Sequence, residues 1–126
     1  VIKEGKMFLK FGDIILVDLS DIEDEHIQQG IRPAVVIGNS YSCASSGNVS
    51  FVPMTTRKKR MDLPCHVMLY RSDAEGLRKD SVVLGELPMT RSKSHVIKVV
   101  GKVYPYAMED VVKVVHNHLS RDGGVG

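Results

Sequence analysis

Arg32 is the side chain in this sequence best placed to meet an anion. It stands in GIRPAVVIGN (30–39), between a Gly-Ile step and a proline that opens a run of apolar residues. A guanidinium there leaves from the mouth of a buried strand. It is planar, permanently charged and matched to phosphate or carboxylate oxygens. On exposure alone, an arginine beside a strand is more often a solvent-facing or ion-pair arginine. A second basic group lies downstream, where Thr55 and Thr56 precede Arg57, Lys58, Lys59 and Arg60 with no acid among them. Such a run is ordinarily a solvated loop. It can also steer a polyanion without reading its sequence. The acidic run DIEDE (21–25) makes the chain charge-polarised, which suits an anionic ligand on one side and repels it from the other.

Other titratable residues offer less. His66 is a natural acid or base near neutral pH, but its place in a short strand after Pro64 favours a structural histidine. His116 and His118 are two apart, so on a helix they face different ways and make a poor metal pair. The two cysteines, Cys43 and Cys65, belong to no CxxC and have no paired histidine spacing nearby. The expectation is a reduced, cytoplasmic protein with no structural metal and no cofactor.

The elements that must position these residues are short. The chain has 126 residues, 43% apolar and 25% charged, with net charge +2. That is one soluble domain's length and composition, and too little charge for general attraction to nucleic acid. No apolar run approaches the ~20 residues of a membrane span. Residues 1–6 could precede a native start at Met7, residues 1–11 read as flexible or foreign to the native chain, and 120–126 as a frayed tail. Runs rich in β-branched residues predict strands over 13–19, 33–39, 49–54, 66–69, 81–87 and, after a short turn, up to 103. Pro33 fits a first strand position, and Pro53 marks an edge or a bulge. Gly85 marks a bend or a close backbone approach. One helix is expected over 106–119, with Met108, Val111, Val112, Val115 and Leu119 inward, acids in its first turn and histidines in its last. Glu109, Asp110, Lys113 and Asn117 are left to solvent. About six strands and a terminal helix predict a small, mainly β protein: a strongly bent antiparallel sheet or partial barrel with the helix packed on it.

Three blocks in order, GDIILVDLS, GIRPAVVIGN, and FVPMTTRKKRMDLPCHVML followed by LRKDSVVLGEL, resemble the MazF/PemK family of toxin endoribonucleases. The resemblance runs from about Gly12 to Val103. It implies an SH3-like barrel with helical additions, over a single toxin domain spanning 1–126, and a homodimer. It also implies sequence-specific, metal-independent cleavage of single-stranded RNA, restrained by a cognate antitoxin; DNA would be met only through the antitoxin complex. The family's catalytic arginine and threonine map onto Arg32 and Thr55. Thr55 is chosen over Thr56 by this mapping alone. One block departs. Where many members have E-Q-I-R-T, this chain has ELPMTR (86–91), so Leu87 and Met89 replace the glutamine and arginine. The alternative is a non-enzymatic barrel toxin or an RNA- or protein-binding module.

The implied chemistry sorts the residues. A ribonuclease without metal can use the substrate's 2′-OH as nucleophile, giving a 2′,3′-cyclic phosphate and a 5′-OH end. Arg32 fits stabilisation of the phosphorane better than proton donation, because its pKa lies above ~12. Thr55 is a poor base and better suited to orienting the phosphate or relaying a proton. Thr56, Arg57, Lys58, Lys59 and Arg60 are expected to hold the RNA backbone. His26, Gln28 and Gln29 are expected to contact base edges. Glu86 is read as a contact to a base edge or the 2′-OH, or as the partner of a nearby lysine. Tyr41 is a candidate stacking ring, while Phe8 and Phe51 could equally be core. Leu84, Leu87 and Met89 could pack across a two-fold axis or in the core.

Overall fold

The computed structural model describes residues 8–21, 30–39, 46–57 and 61–120. Among the described residues the strands are β1 (Asp13–Asp18), β2 (Ile31–Val36), β3 (Asn48–Thr55), β4 (His66–Leu69), β5 (Ala74–Glu75), β6 (Ser81–Leu84), β7 (Met89–Ser92) and β8 (Val96–Val103), followed by a helix, α1 (Pro105–Leu119). Single 3₁₀ turns, Arg71–Asp73 and Lys93–His95, link β4 to β5 and β7 to β8.

All strand pairs are antiparallel, in the order β4-β6-β3-β2-β1-β8-β5, with β7 also paired to β3. The consecutive strands β7 and β8 therefore lie at opposite ends of the series β7-β3-β2-β1-β8. The short turn between them draws those ends together into a nearly closed barrel. Two register shifts where β1 meets β8, at Ile14/Ile15 and Leu16/Val17, supply local bending. Strand alternation divides the core into two layers. Ile15, Val17, Ala34, Val36, Val49, Phe51, Met89 and Val96 fill the barrel side, joined by Leu9 and Leu19. Ile14, Val35, Val52, Met54 and Val83 face the other way and pack against α1. Leu9 is only 3% exposed, so the packed chain reaches back ahead of Gly12.

Several expected boundaries move. β2 begins at Ile31, so Arg32 and Pro33 lie inside the strand and the run after Val36 is not strand. Pro33 sits across from Leu16 of β1, while the ladder to β3 is confined to Ala34–Val36. Pro53 falls where β3 changes partner: Phe51 is its last residue paired with β7 and Met54 its first paired with β6. A residue with no N–H is tolerated in such a gap. β6 stops at Leu84, and Leu87 N–H closes a turn on the Leu84 carbonyl at 3.0 Å. MTRS, read only as a variant motif, is a strand, and the two-residue β5 was too short to predict.

The helix starts with Pro105 in its first turn, where the missing N–H costs nothing. Its buried face is Ala107, Met108, Val111, Val114 and Val115; Val112 is 44% and Leu119 70% exposed. The expected stripe was therefore rotated by about one residue. Spacing cannot choose between neighbouring valines, and the sheet does. No acid lies in the first turn, whereas His116 and His118 are in the last. Asn117 is turned to the protein, its Nδ2 donating to the Pro64 carbonyl at 2.6 Å. No helix among the described residues is long and apolar enough to cross a membrane.

Candidate active site

Arg32 stands on the outer part of β2, partly buried, with Val17 of β1 as its cross-strand neighbour. Gly30 just ahead has φ +90°, a left-handed conformation that other residues adopt at a cost of about 1–2 kcal/mol. Its carbonyl accepts the Leu19 N–H at 2.8 Å, which ties the start of β2 to the end of β1. The arginine is thus carried on anchored strand, with Ala34 and Val36 of the same face sunk in the barrel core.

Thr55 closes β3 and is 5% exposed. Its Oγ1 accepts the Arg57 backbone N–H at 3.1 Å, so the hydroxyl both ends the strand and fixes the first residues of the basic loop. β2 and β3 are paired at Ala34–Pro53, Val35–Val52 and Val36–Phe51. Continued outward by two residues, this register sets Arg32 across from Thr55. Alternation gives the same pairing of faces. Val49 and Phe51 share Thr55's parity, Ala34 and Val36 share that of Arg32, and all four line the barrel side. A permanent cation and an anchored hydroxyl therefore share one face at the open end of two strands. Thr56 and Arg57 follow, both exposed.

The other expected contacts distribute differently. His26, Gln28, Gln29, Tyr41, Lys58, Lys59 and Arg60 lie outside the described residues. Glu86 is not beside Arg32: Thr55 pairs with Val82 near the start of β6, and Glu86 lies in the turn beyond that strand's other end. Among the described residues its carboxylate meets no lysine and instead pairs with His66, Nε2 to Oε2 at 2.9 Å. His66 is the structural histidine expected, 9% exposed at the start of β4. Phe51 is fully buried, whereas Phe8 is 84% exposed. Beside Glu86, burial pushes the Cys65 thiol pKa up, and the Glu86 charge pushes it further. At the end of β1, hydrogen bonds from the Ser20 hydroxyl and backbone hold the Asp18 carboxyl below its usual range.

Known proteins share this architecture. Residues 10–119 match the family described as PemK-like, MazF-like toxin of type II toxin–antitoxin system. This chain belongs to the PemK/MazF toxin family. An endoribonuclease MazF of Staphylococcus saprophyticus is 36% identical over 86 residues, covering 68% of this chain and 70% of that protein. Among solved structures, MazF from Deinococcus radiodurans superposes with a TM-score of 0.74 at 19% identity, covering 90% of this chain and 97% of that one. An endoribonuclease in complex with its cognate antitoxin, from a mycobacterial species, gives 0.68 at 20% identity, covering 89% and 93%. At such identities the structures speak for the fold.

Within the family the ELPMTR departure now has a location. Met89, at the position of the usual arginine, is 8% exposed, pairs with Phe51 and packs in the barrel core. Leu87 is half-buried in the turn before it. An apolar side chain turned into the core replaces a cation, so Met89 offers RNA no contact of that kind.

Proposed function

We propose that the chain is a metal-independent endoribonuclease toxin that cleaves single-stranded RNA at specific sequences and is restrained by a cognate antitoxin. What supports this reading is the β2–β3 register, whose last pair is Ala34–Pro53 and whose extension by two residues sets Arg32 opposite Thr55, in a member of this family.

The substrate's 2′-OH attacks the adjacent phosphorus, the 5′-oxygen leaves, and a 2′,3′-cyclic phosphate and a 5′-OH remain. Arg32 stabilises the dianionic phosphorane through paired N–H groups that are charged at every working pH. Thr55 accepts from Arg57 N–H and keeps its own O–H to give to a phosphate oxygen. Fixed donors aimed at developing charge typically contribute about 3–4 kcal/mol each. Arg57 and its basic neighbours Lys58, Lys59 and Arg60 hold the backbone, while His26, Gln28 and Gln29 in the β1–β2 connection read base edges. The protein acts as a homodimer, as the family resemblance implies, and in the cytoplasm, in keeping with its having only two cysteines.

The test is incubation of the purified chain with single-stranded RNA in EDTA, followed by analysis of the ends. Cyclic phosphate and 5′-OH ends are expected, with cleavage abolished by one 2′-deoxynucleotide at the cut site. Intact RNA, or an Arg32→Ala variant that cuts at the wild-type rate, would refute the proposal.

A further inference from the structure

Cys65, His66 and Glu86 form a second constellation, which the cleavage chemistry leaves unused. One ligand atom from each, the Cys65 sulfur, a His66 ring nitrogen and a Glu86 carboxylate oxygen, lie within 4.8 Å of one another. Main-chain contacts hold the three together. The Cys65 carbonyl accepts the Gly85 N–H at 2.8 Å, and His66 is paired with Leu84 across β4 and β6. Helix α1 closes the back, with Asn117 bonded to the Pro64 carbonyl. One Glu86 oxygen meets His66 Nε2 at 2.9 Å; the other, Oε1, is buried and has no hydrogen-bond partner among the described residues. The Cys65 thiol beside the carboxylate is only a weak donor, and a buried carboxylate oxygen so weakly satisfied favours a bound group. The donor set narrows that group. Thiolate, imidazole and carboxylate are the three ligand types zinc accepts, whereas calcium and magnesium take oxygen.

We propose that Cys65, His66 and Glu86 bind one zinc ion. The ion replaces the thiol proton on Cys65, and the His66 ring proton shifts from Nε2, where it faces Glu86, to Nδ1, which frees the Nε2 lone pair for zinc. Ligand atoms around a tetrahedral zinc lie about 3.5 Å apart, so the side chains need adjust by about an ångström. Three protein ligands leave a fourth position for water, and the Glu86 side chain, 32% exposed, gives it a route to solvent. The ion ties the start of β4 to the turn after β6. It stands apart from Arg32 and Thr55, so it stabilises the barrel without entering cleavage, and its presence does not depend on the ribonuclease reading.

The test is titration of the full EDTA-stripped chain with Co²⁺ as optical probe, then displacement with Zn²⁺. A thiolate-to-cobalt charge-transfer band with tetrahedral d–d absorption is expected, saturating at one ion per chain. Cys65→Ser should lose the charge-transfer band and Cys43→Ser should keep it. Glu86→Gln should weaken binding by on the order of tenfold or more, the least that supporting groups around a metal carry. Zinc should raise Tm in the wild type and not in Cys65→Ser. Absence of the band, its survival in Cys65→Ser, wild-type affinity in Glu86→Gln, or a Tm indifferent to zinc would each overturn the proposal.

Discussion

Arg32 and Thr55 carry different burdens, and their variants should separate them. Arg32→Ala removes the charge proposed to face the phosphorane and should slow cleavage by about 10²–10³-fold, the usual loss for one transition-state donor. Arg32→Lys should recover little, because a point ammonium cannot span two phosphate oxygens. Thr55→Val costs twice. It removes a phosphate donor and strands the Arg57 N–H, which now bonds Oγ1; stability should fall by about 1 kcal/mol alongside activity. Thr55→Ser should restore both, measured as single-turnover rate and urea midpoint. Cys65 gives a prediction of opposite sign. Burial first, and the Glu86 charge second, raise its thiol pKa, so less thiolate is present at neutral pH than in a free cysteine. In EDTA, on a Cys43→Ser background, iodoacetamide should label it slowly, and Glu86→Gln should speed labelling. Mass spectrometry reads the rate, and unchanged labelling would contradict the assigned cause.

The elements decide which residues meet, and here the sequence was only partly legible. Runs of β-branched residues marked six of the strands because those strands are long or deeply buried. β5, of two residues, and β7, in polar MTRS, carry no such pattern. β7 is held by its ladder to β3 and by Met89, a single core residue. Arg32 was singled out as a candidate anion ligand by its own chemistry. Its proposed partnership with Thr55 came from the family blocks, since a separation of 23 positions shows no register until β2 and β3 are paired. Glu86 shows the converse: its partner His66 lies 20 residues away through β4 and β6, and nothing local announces it. Gly85 was read as a bend or close approach, and it is a turn of both kinds. A Cβ there would stand 2.6 Å from the Cys65 carbonyl oxygen and 2.7 Å from that of Val114 in α1. Both obstacles are main chain, so neither can swing aside. Gly85→Ala should cost about 1–3 kcal/mol by overpacking, seen as a lower urea midpoint with an unchanged slope.

For the whole molecule, charge distribution matters more than the net charge of +2. The acidic run 21–25 and the basic run 57–60 lie in the connections that follow β1 and β3. Thr55 closes β3, and Arg32 stands early in β2, after the acidic connection. On the proposed function, the basic run follows Thr55 directly along the chain, so its lysines and arginines are the groups expected to hold the RNA backbone. Each phosphate neutralised by a lysine releases counterion, and for single strands log K falls with log salt by about 0.7 per contact. Lys58→Gln and Lys59→Gln should each lower the steepness of that dependence by about 0.7 and weaken binding at low salt. The cleaved sequence should stay the same, because backbone contacts position a strand without specifying it. Gln28→Ala, by contrast, should leave the slope intact and relax the cleavage sequence. Both are measured by binding a non-cleavable 2′-deoxy-substituted RNA across a salt series, with cleavage sites mapped on a mixed RNA pool. An altered site preference in the lysine variants, with an unaltered slope, would reverse the roles given to the two connections.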